Sequence, residues 1–168
     1  MTELFITENK DLYGKTEILL KQRTAMPLKI LRSPNGKPYL AGNPLYFSLS
    51  HSGNAAVIAI SENLCGVDLE LICGKQHDAV LKRFSDEERG EIKNERDFLK
   101  HWTVRESYIK MHGLSLAAKL KDLKYVGGIL YDCGQKADCR IYTYDGADYI
   151  ISLCVQSEDE TPPEIKNI

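Results

Sequence analysis

Five short runs of strand-forming residues between positions 28 and 71 constrain the fold of this chain most. They cover residues 28–31, 38–40, 45–49, 55–60 and 65–71. Turn residues separate them, including Pro-Asn-Gly-Lys at 34–37 and His-Ser-Gly-Asn at 51–54. Short runs punctuated in this way are typical of antiparallel strands joined by tight turns. We therefore predict one hairpin followed by a three-stranded antiparallel meander.

Helical patterns flank these strands. The sequence predicts a short helix within residues 15–23, a helix that starts at a Ser85–Glu88 capping box, and a longer helix over residues 96–112 that ends at Gly113. Three more strands are predicted at 125–131, 139–144 and 149–156, and the acidic tail from residue 157 is predicted to be unstructured. Antiparallel sheets packed with helices place the chain in the α+β class.

Composition and charge exclude several classes of protein. The 168 residues are 43% hydrophobic and 27% charged, and the formal net charge of −2 provides no broad positive field for nucleic acid. No run approaches the roughly 18 uninterrupted apolar residues of a membrane span, and the first residues lack the pattern of a signal peptide. We expect a cytoplasmic protein that binds neither nucleic acid nor a membrane.

Asp68 and Glu70 are the first candidate functional residues. They lie two positions apart on a predicted strand, so their carboxylates share one face while Val67, Leu69 and Leu71 face the other way. Two acids directed at one point favour a bound cation. Taken alone, however, the pair fits an ordinary solvated strand face better than a cation site.

The long predicted helix adds a third carboxylate. Glu106 and Lys110 lie four residues apart on one stripe of this helix, with Arg105 beside them. On spacing alone, an ordinary surface ion pair is the favoured interpretation of Glu106 and Lys110. Combined with Asp68 and Glu70, Glu106 completes a set of hard oxygen ligands suited to Mg²⁺. Arg105, Lys110 and His51 would then supply contacts to phosphate groups.

Five motifs in a fixed order carry a resemblance to a known family. They are Gly-Lys-Pro at 36–38, Phe-Ser-Leu-Ser-His-Ser-Gly at 47–53, Gly-Val-Asp-Leu-Glu at 66–70, Arg-Phe-Ser-Asp-Glu-Glu at 83–88 and Trp-Thr-Val-Arg-Glu-Ser-Tyr-Ile-Lys at 102–110. Together they resemble the motifs of the 4′-phosphopantetheinyl transferases, specifically the surfactin-synthetase-activating type. The resemblance implies the fold of that family and an enzyme, a holo-[acyl-carrier-protein] synthase.

The implied reaction moves the 4′-phosphopantetheine group of coenzyme A to a serine of an apo acyl or peptidyl carrier protein and releases adenosine 3′,5′-bisphosphate. By this resemblance Mg²⁺ is held by Asp68, Glu70 and Glu106, and Glu106 and Lys110 are catalytic. The residues that would bind coenzyme A are Lys37, Pro38, Ser50, His51, Arg105 and Lys110. Arg105 stands where the family has Lys, which keeps the charge. Either Glu106 or a metal-held water would accept the serine proton.

The N-terminal part departs from the family pattern. Only 35 residues precede Gly36, so we expect a reduced N-terminal lobe over residues 1–60, a transferase lobe over 61–156 and a disordered tail over 157–168. Lys21, Arg23, Lys29 and Arg32 are candidates for the missing nucleotide contacts, with no motif to choose among them. A reduced lobe leaves apolar surface that a homo-oligomer would cover.

Two other functions compete with the transferase. A non-catalytic relative would bind coenzyme A or a carrier protein, yet it would have no need to keep Asp68, Glu70, Glu106 and Lys110 together. A metal-dependent nucleotide hydrolase would use similar ligands, yet it would have no need for the Ser-His-Ser-Gly and Gly-Lys-Pro motifs.

Overall fold

The computed structural model describes residues 1–8, 10–42, 45–75, 77–156 and 161–168. It confirms a mixed α+β fold built from antiparallel sheets and a few helices. The strands are β1 Thr2–Glu8, β2 Ile30–Arg32, β3 Pro38–Leu40, β4 Tyr46–Ser52, β5 Ala55–Ser61, β6 Cys65–Leu71, β7 Leu123–Val126, β8 Ile129–Asp132, β9 Gln135–Lys136, β10 Arg140–Asp145, β11 Tyr149–Val155 and β12 Ile165–Asn167. The helices are α1 Leu12–Lys21, α2 Asp78–Leu81, α3 Asp86–Glu91, α4 Glu95–His112 and α5 Leu116–Lys119, with a 3₁₀ turn at Leu120–Asp122.

Two sheets form the centre of the molecule. The first has the strand order β12-β1-β5-β4, and the second has the order β10-β11-β6. The side chains of β5 are buried along its whole length after Ala55, which matches its run of small and branched apolar residues. One face of β5 packs with β6 and β11 in a cluster that contains Leu4, Val57 and Ile151. The two sheets thus share one hydrophobic core.

The predicted three-stranded meander is wrong in its last strand. β4 and β5 pair as predicted, with Ser50 opposite Val57. β6 instead joins the second sheet and pairs with β11, with Asp68 opposite Ser152 and Glu70 opposite Ile150. Strands that are far apart in the sequence can pair as readily as neighbouring strands. The turn after β5 therefore did not reveal that β6 pairs with β11 and not with β5. β4 and β6 therefore lie at the edges of two different sheets.

The long helix α4 packs directly against β6. It begins after Asn94, whose side chain accepts a hydrogen bond from the backbone N–H of Asp97, and it ends at Gly113 with φ 63°. The approach to β6 is close at Gly66, where an added Cβ would lie 2.1 Å from the carbonyl oxygen of Ser107. This contact brings the polar residues of α4 beside the acids of β6.

Several other predicted elements differ from the observed ones. The first helix begins three residues earlier than predicted, since Asp11 caps it by accepting from the N–H of Gly14. The predicted single strand over 125–131 is two strands, β7 and β8, which turn at Gly127 and Gly128. The N-terminal strand β1 was not predicted. The Ser85–Glu88 capping box is confirmed.

The C-terminal tail is partly ordered. The prediction of an unstructured segment is wrong over Ile165–Asn167, which pair in parallel with β1. Tyr144 anchors this segment by donating a hydrogen bond to the carbonyl oxygen of Pro163 at 2.6 Å. Residues 157–160 lie outside the described residues, and the division into lobes stays a prediction. No helix in the described ranges is long and apolar enough to cross a membrane.

Candidate active site

Asp68 and Glu70 project from β6 on the face that does not enter the core. Their neighbours Val67 and Leu69 are fully buried in the cluster between the sheets, as the alternating pattern predicted. The side chain of Asp68 is only 4% exposed, whereas Glu70 is partly exposed. Burial raises the pKa of both carboxyl groups. Each acid therefore requires partners to remain charged.

Three structural elements meet at Asp68. From β4, the Ser50 hydroxyl donates a hydrogen bond to Asp68 Oδ1 at 2.8 Å. From α4, Lys110 Nζ lies 2.6 Å from the same oxygen and 2.9 Å from Ser50 Oγ. The ammonium charge and both hydrogen bonds oppose the effect of burial on the pKa of Asp68. The structure thus places three predicted residues from distant parts of the sequence in one junction.

Glu106 lies one helical turn before Lys110 and belongs to the same charged group. Burial raises the pKa of Glu106 to about 7, and the negative charges of Asp68 and Glu70 act in the same direction. The Lys110 ammonium acts in the opposite direction. The charge of Asp68 raises the pKa of both Glu70 and Glu106, and the charge of Glu70 also raises that of Glu106. A cation near these three carboxylates would offset that repulsion.

The chemistry of this acid group fits a hard divalent cation. Asp68 Oδ2 is buried and has no hydrogen-bond partner, so a carboxylate oxygen remains for a ligand. Carboxylate oxygens are the ligands that Mg²⁺ prefers, with waters and substrate phosphates completing the shell. In the described part of the chain, no three acidic, His or Cys side chains form a finished metal-binding group. In this structure the cation beside Asp68 Oδ1 is the Lys110 ammonium.

A cavity of about 580 Å³ adjoins the junction at Ser50 and Lys110. Its walls come from α1, the β2–β3 hairpin, β4 and the end of α4. The predicted coenzyme A contacts Lys37, Pro38, Ser50, His51 and Lys110 all line this cavity. Four of the lining side chains can carry positive charge, namely Arg32, Lys37, His51 and Lys110. Asp11 also lines it, but its carboxylate caps α1 through the N–H of Gly14. The cavity therefore suits a ligand with several negative charges.

Arg32 is a cavity residue that sequence motifs did not assign. Its guanidinium donates to the carbonyl oxygen of Gly36 at 2.9 Å and to the Tyr13 hydroxyl at 3.0 Å. It also lies 5.6 Å from the centroid of the Tyr13 ring. Both oxygens are neutral, so these contacts orient the guanidinium without neutralising it. Among the four basic candidates named from the sequence, Arg32 is the one that lines the cavity.

Lys37 has a structural role as well as a place in the cavity wall. Its ammonium donates to the carbonyl oxygens of Met111 at 2.7 Å and Cys65 at 3.2 Å. Burial lowers the pKa of Lys37. Asn35 supports the same contact, because its side-chain amide donates to the carbonyl oxygen of Gly113 at 2.9 Å. The β2–β3 hairpin is thus fastened to the C-terminal end of α4.

Arg105 does not lie where a phosphate contact requires it. Its side chain is 1% exposed, forms an ion pair with the equally buried Glu88, and lies 3.9 Å above the ring of Phe84. Burial alone would raise the pKa of Glu88, but hydrogen bonds from its neighbours and the charge of Arg105 lower it to about 2. The structure therefore corrects the prediction for Arg105. The residue joins α4 to α3 and has no place in the cavity wall.

Comparison with known proteins shows the family of this chain. The family model described as "4'-phosphopantetheinyl transferase superfamily" matches residues 64–154, which is more than half of the chain and includes all three carboxylates. The chain belongs to this superfamily. The narrower surfactin-synthetase-activating type stays a prediction.

Several curated relatives belong to the same group. A 4'-phosphopantetheinyl transferase from Bacillus subtilis is 30% identical over 139 residues, which cover 74% of this chain and 61% of the relative. The 4'-phosphopantetheinyl transferase AcpT of Salmonella typhi is 34% identical over 106 residues, covering 56% and 55%. The rat L-aminoadipate-semialdehyde dehydrogenase-phosphopantetheinyl transferase is 26% identical, covering 64% and 42%. The chain thus spans between 42% and 61% of the length of these relatives.

Proposed function

We propose that this chain transfers the 4′-phosphopantetheine group of coenzyme A to a serine of an apo acyl or peptidyl carrier protein. The observation that carries the proposal is the junction of Ser50, Asp68 and Lys110, which joins a positively charged cavity to a group of three carboxylates. Coenzyme A has a nucleotide with several phosphate charges and a diphosphate that must be cleaved. A cavity for anions beside a cation site matches both requirements. Membership of the superfamily supports the same reaction.

The residues divide into two groups by position. Asp68, Glu70 and Glu106 would hold Mg²⁺, which supplies charge neutralisation on the diphosphate when bound. Lys110 is the cation placed between this acid group and the cavity, so it would contact the diphosphate. His51 and Arg32, which line the same cavity, would contact the remaining phosphates. Lys37 and Pro38 would form the wall beside the nucleotide.

The reaction is a displacement at phosphorus. The serine oxygen of the carrier protein forms a bond to the phosphorus that bears the pantetheine arm, and the bond from that phosphorus to the bridging oxygen breaks. Adenosine 3′,5′-bisphosphate leaves with the bridging oxygen, and Lys110 would stabilise the charge that develops there. The serine proton passes to Glu106 or to a water held near it.

Intact-mass measurement tests the proposal directly. The protein is incubated with Mg²⁺, coenzyme A and several apo carrier proteins, and each carrier is examined for the mass of one phosphopantetheine group. We expect modification at the carrier serine, and we expect Glu106→Gln to abolish it while the variant remains folded. Binding of coenzyme A without modification of any carrier would favour a non-catalytic binding protein. Release of the bisphosphate without a carrier would favour a nucleotide hydrolase.

The homo-oligomer stays a separate prediction. Exposed apolar side chains include Ile30, Leu31 and Tyr39 on the β2–β3 hairpin. Size-exclusion chromatography with light scattering measures the mass in solution. A single monomer mass over a wide concentration range would contradict self-association.

A further inference from the structure

The edge strands of the two central sheets are joined by a row of serine side chains. β4 and β6 belong to different sheets, so their facing edges are not linked by a shared sheet ladder. Ser48, Ser50 and Ser52 alternate along β4 and therefore project on one side of it. Each of their hydroxyl groups makes a hydrogen bond to β6. We call these three residues the serine row.

The three serines make different bonds. Ser48 Oγ accepts from the backbone N–H of Val67 at 3.1 Å. Ser52 Oγ accepts from the backbone N–H of Leu71 at 3.3 Å and donates to Glu70 Oε2 at 2.9 Å. A serine hydroxyl has one proton, so an N–H donor on its lone pair directs that proton towards the carboxylate. Two N–H groups at the edge of β6 also gain partners in this way.

Ser50 makes the equivalent arrangement with Asp68. Its hydroxyl accepts from Lys110 Nζ at 2.9 Å and donates to Asp68 Oδ1 at 2.8 Å. Asp68 and Glu70 thus each accept one hydrogen bond from a serine hydroxyl of β4. A hydrogen bond to one carboxylate oxygen restricts rotation of the group and leaves the second oxygen for another ligand. Asp68 Oδ2, which is buried and without a hydrogen-bond partner, is such an oxygen.

From this geometry we propose that Ser52 is a positioning residue that holds the Glu70 carboxylate in the orientation needed to bind a divalent cation. The proposal rests on the proposed function, because it takes Glu70 as a ligand. Ser52 contacts neither coenzyme A nor the reacting atoms in this assignment. Its effect on the cation passes through Glu70. Because Ser52 belongs to the first sheet and Glu70 to the second, the cation site depends on the docking of β4 against β6.

Ser48 provides a matched control. It belongs to the same row and its hydroxyl bonds to β6, but the bond runs to a backbone N–H and not to a carboxylate. Ser48→Ala therefore removes one hydrogen bond between the strands without removing a hydrogen bond from a carboxylate. Ser52→Thr keeps a hydroxyl at the decisive position on a strand, where Thr is well accommodated. Ser52→Ala removes the bond to Glu70.

Binding of Mn²⁺ in the presence of coenzyme A and the absence of any carrier protein measures the effect without catalysis. Water-proton relaxation gives the Kd for Mn²⁺, and circular dichroism checks that each variant is folded. We expect Ser52→Ala to raise this Kd about tenfold, as loss of a bond to a metal ligand commonly does. Ser52→Thr should stay close to the wild type, and Ser48→Ala should lower thermal stability without changing the Kd. In transfer assays, Ser52→Ala should need about tenfold more Mg²⁺ for half-maximal rate at an unchanged KM for coenzyme A.

The outcomes separate the two proposals. If Ser52→Ala binds Mn²⁺ as tightly as the wild type, or if Ser48→Ala weakens binding equally, the role of Ser52 is refuted while the proposed function stands. If the wild type does not bind Mn²⁺ with coenzyme A, or if Asp68→Asn binds it unchanged, the cation site itself is refuted and the role of Ser52 fails with it.

Discussion

Replacing Glu106 with Gln should remove a pH-dependent loss of stability from the metal-free protein. Burial and the charges of Asp68 and Glu70 raise the pKa of Glu106 from 4.5 to about 7 in the folded state. A carboxyl group whose pKa is raised on folding binds its proton more tightly in the native state. The resulting destabilisation therefore begins as the pH rises above 4.5 and is complete above about 7. An amide side chain does not titrate in this range, so the Glu106→Gln variant should lack this loss.

The magnitude follows from the size of the pKa change. At about 1.4 kcal/mol for each pKa unit, the difference between 4.5 and about 7 corresponds to about 3 kcal/mol. The side chain of Glu106 is partly exposed, and screening by water lowers this figure. We expect Glu106→Gln to gain about 2 kcal/mol over the wild type between about pH 5 and about pH 8.

Urea unfolding of both proteins in EDTA, at several pH values across this range, gives the two stability curves. The change in their difference with pH isolates Glu106, because most other titrating groups are common to both. Added Mg²⁺ should stabilise the wild type more at the upper end of the range, where Glu106 is charged, and should stabilise Glu106→Gln less. Two stability curves that remain parallel within about 0.5 kcal/mol would refute the argument that this carboxyl is forced to hold its proton.

Substitutions at three other positions test further parts of the structure. Arg32→Ala should raise the KM for coenzyme A about tenfold with little change in kcat, since it removes a charged contact in the cavity. Arg32→Lys keeps a positive charge and should raise the KM less. Steady-state kinetics measures both variants, and an unchanged KM for Arg32→Ala would remove Arg32 from the site. Arg105→Ala should lower the free energy of unfolding by about 3 kcal/mol or more, because Glu88 would be left buried without its cation, while coenzyme A affinity in calorimetry stays unchanged. Gly66→Ala should cost about 3 kcal/mol or more in denaturant unfolding, because its Cβ would lie 2.1 Å from the Ser107 carbonyl oxygen; a near-neutral effect would mean that α4 can move away from β6.

Local features of the chain are readable from the sequence because their causes lie within a few residues. The strand Cys65–Leu71 has the predicted bounds, since its apolar positions alternate with the acids that leave the core. The end of α4 at Gly113 and the Ser85–Glu88 capping box follow from residues that satisfy the free backbone groups of a helix terminus. The alternation along the strand also indicates which face of β6 carries the carboxylates.

Other features depend on contacts between distant residues. Arg105 has the sequence context of a phosphate ligand, yet the position of α3 buries it against Glu88. Arg32 has no recognisable motif, yet the hairpin places it in the cavity wall beside Tyr13. A helix residue can face any of several neighbours, and only the packing of the whole chain decides which one it meets.

Some features of the candidate site thus follow from the amino-acid sequence, and others follow only from the tertiary structure. The amino-acid sequence by itself determined that Asp68 and Glu70 share a strand face, that Glu106 and Lys110 share a helix face, and that the motifs resemble one family. Tertiary structure alone decided that β6 leaves the first sheet for β11, so that its free edge meets the serine row of β4. Local patterns set which side chains point together, whereas strand pairing over more than 70 residues depends on the burial of the shared core.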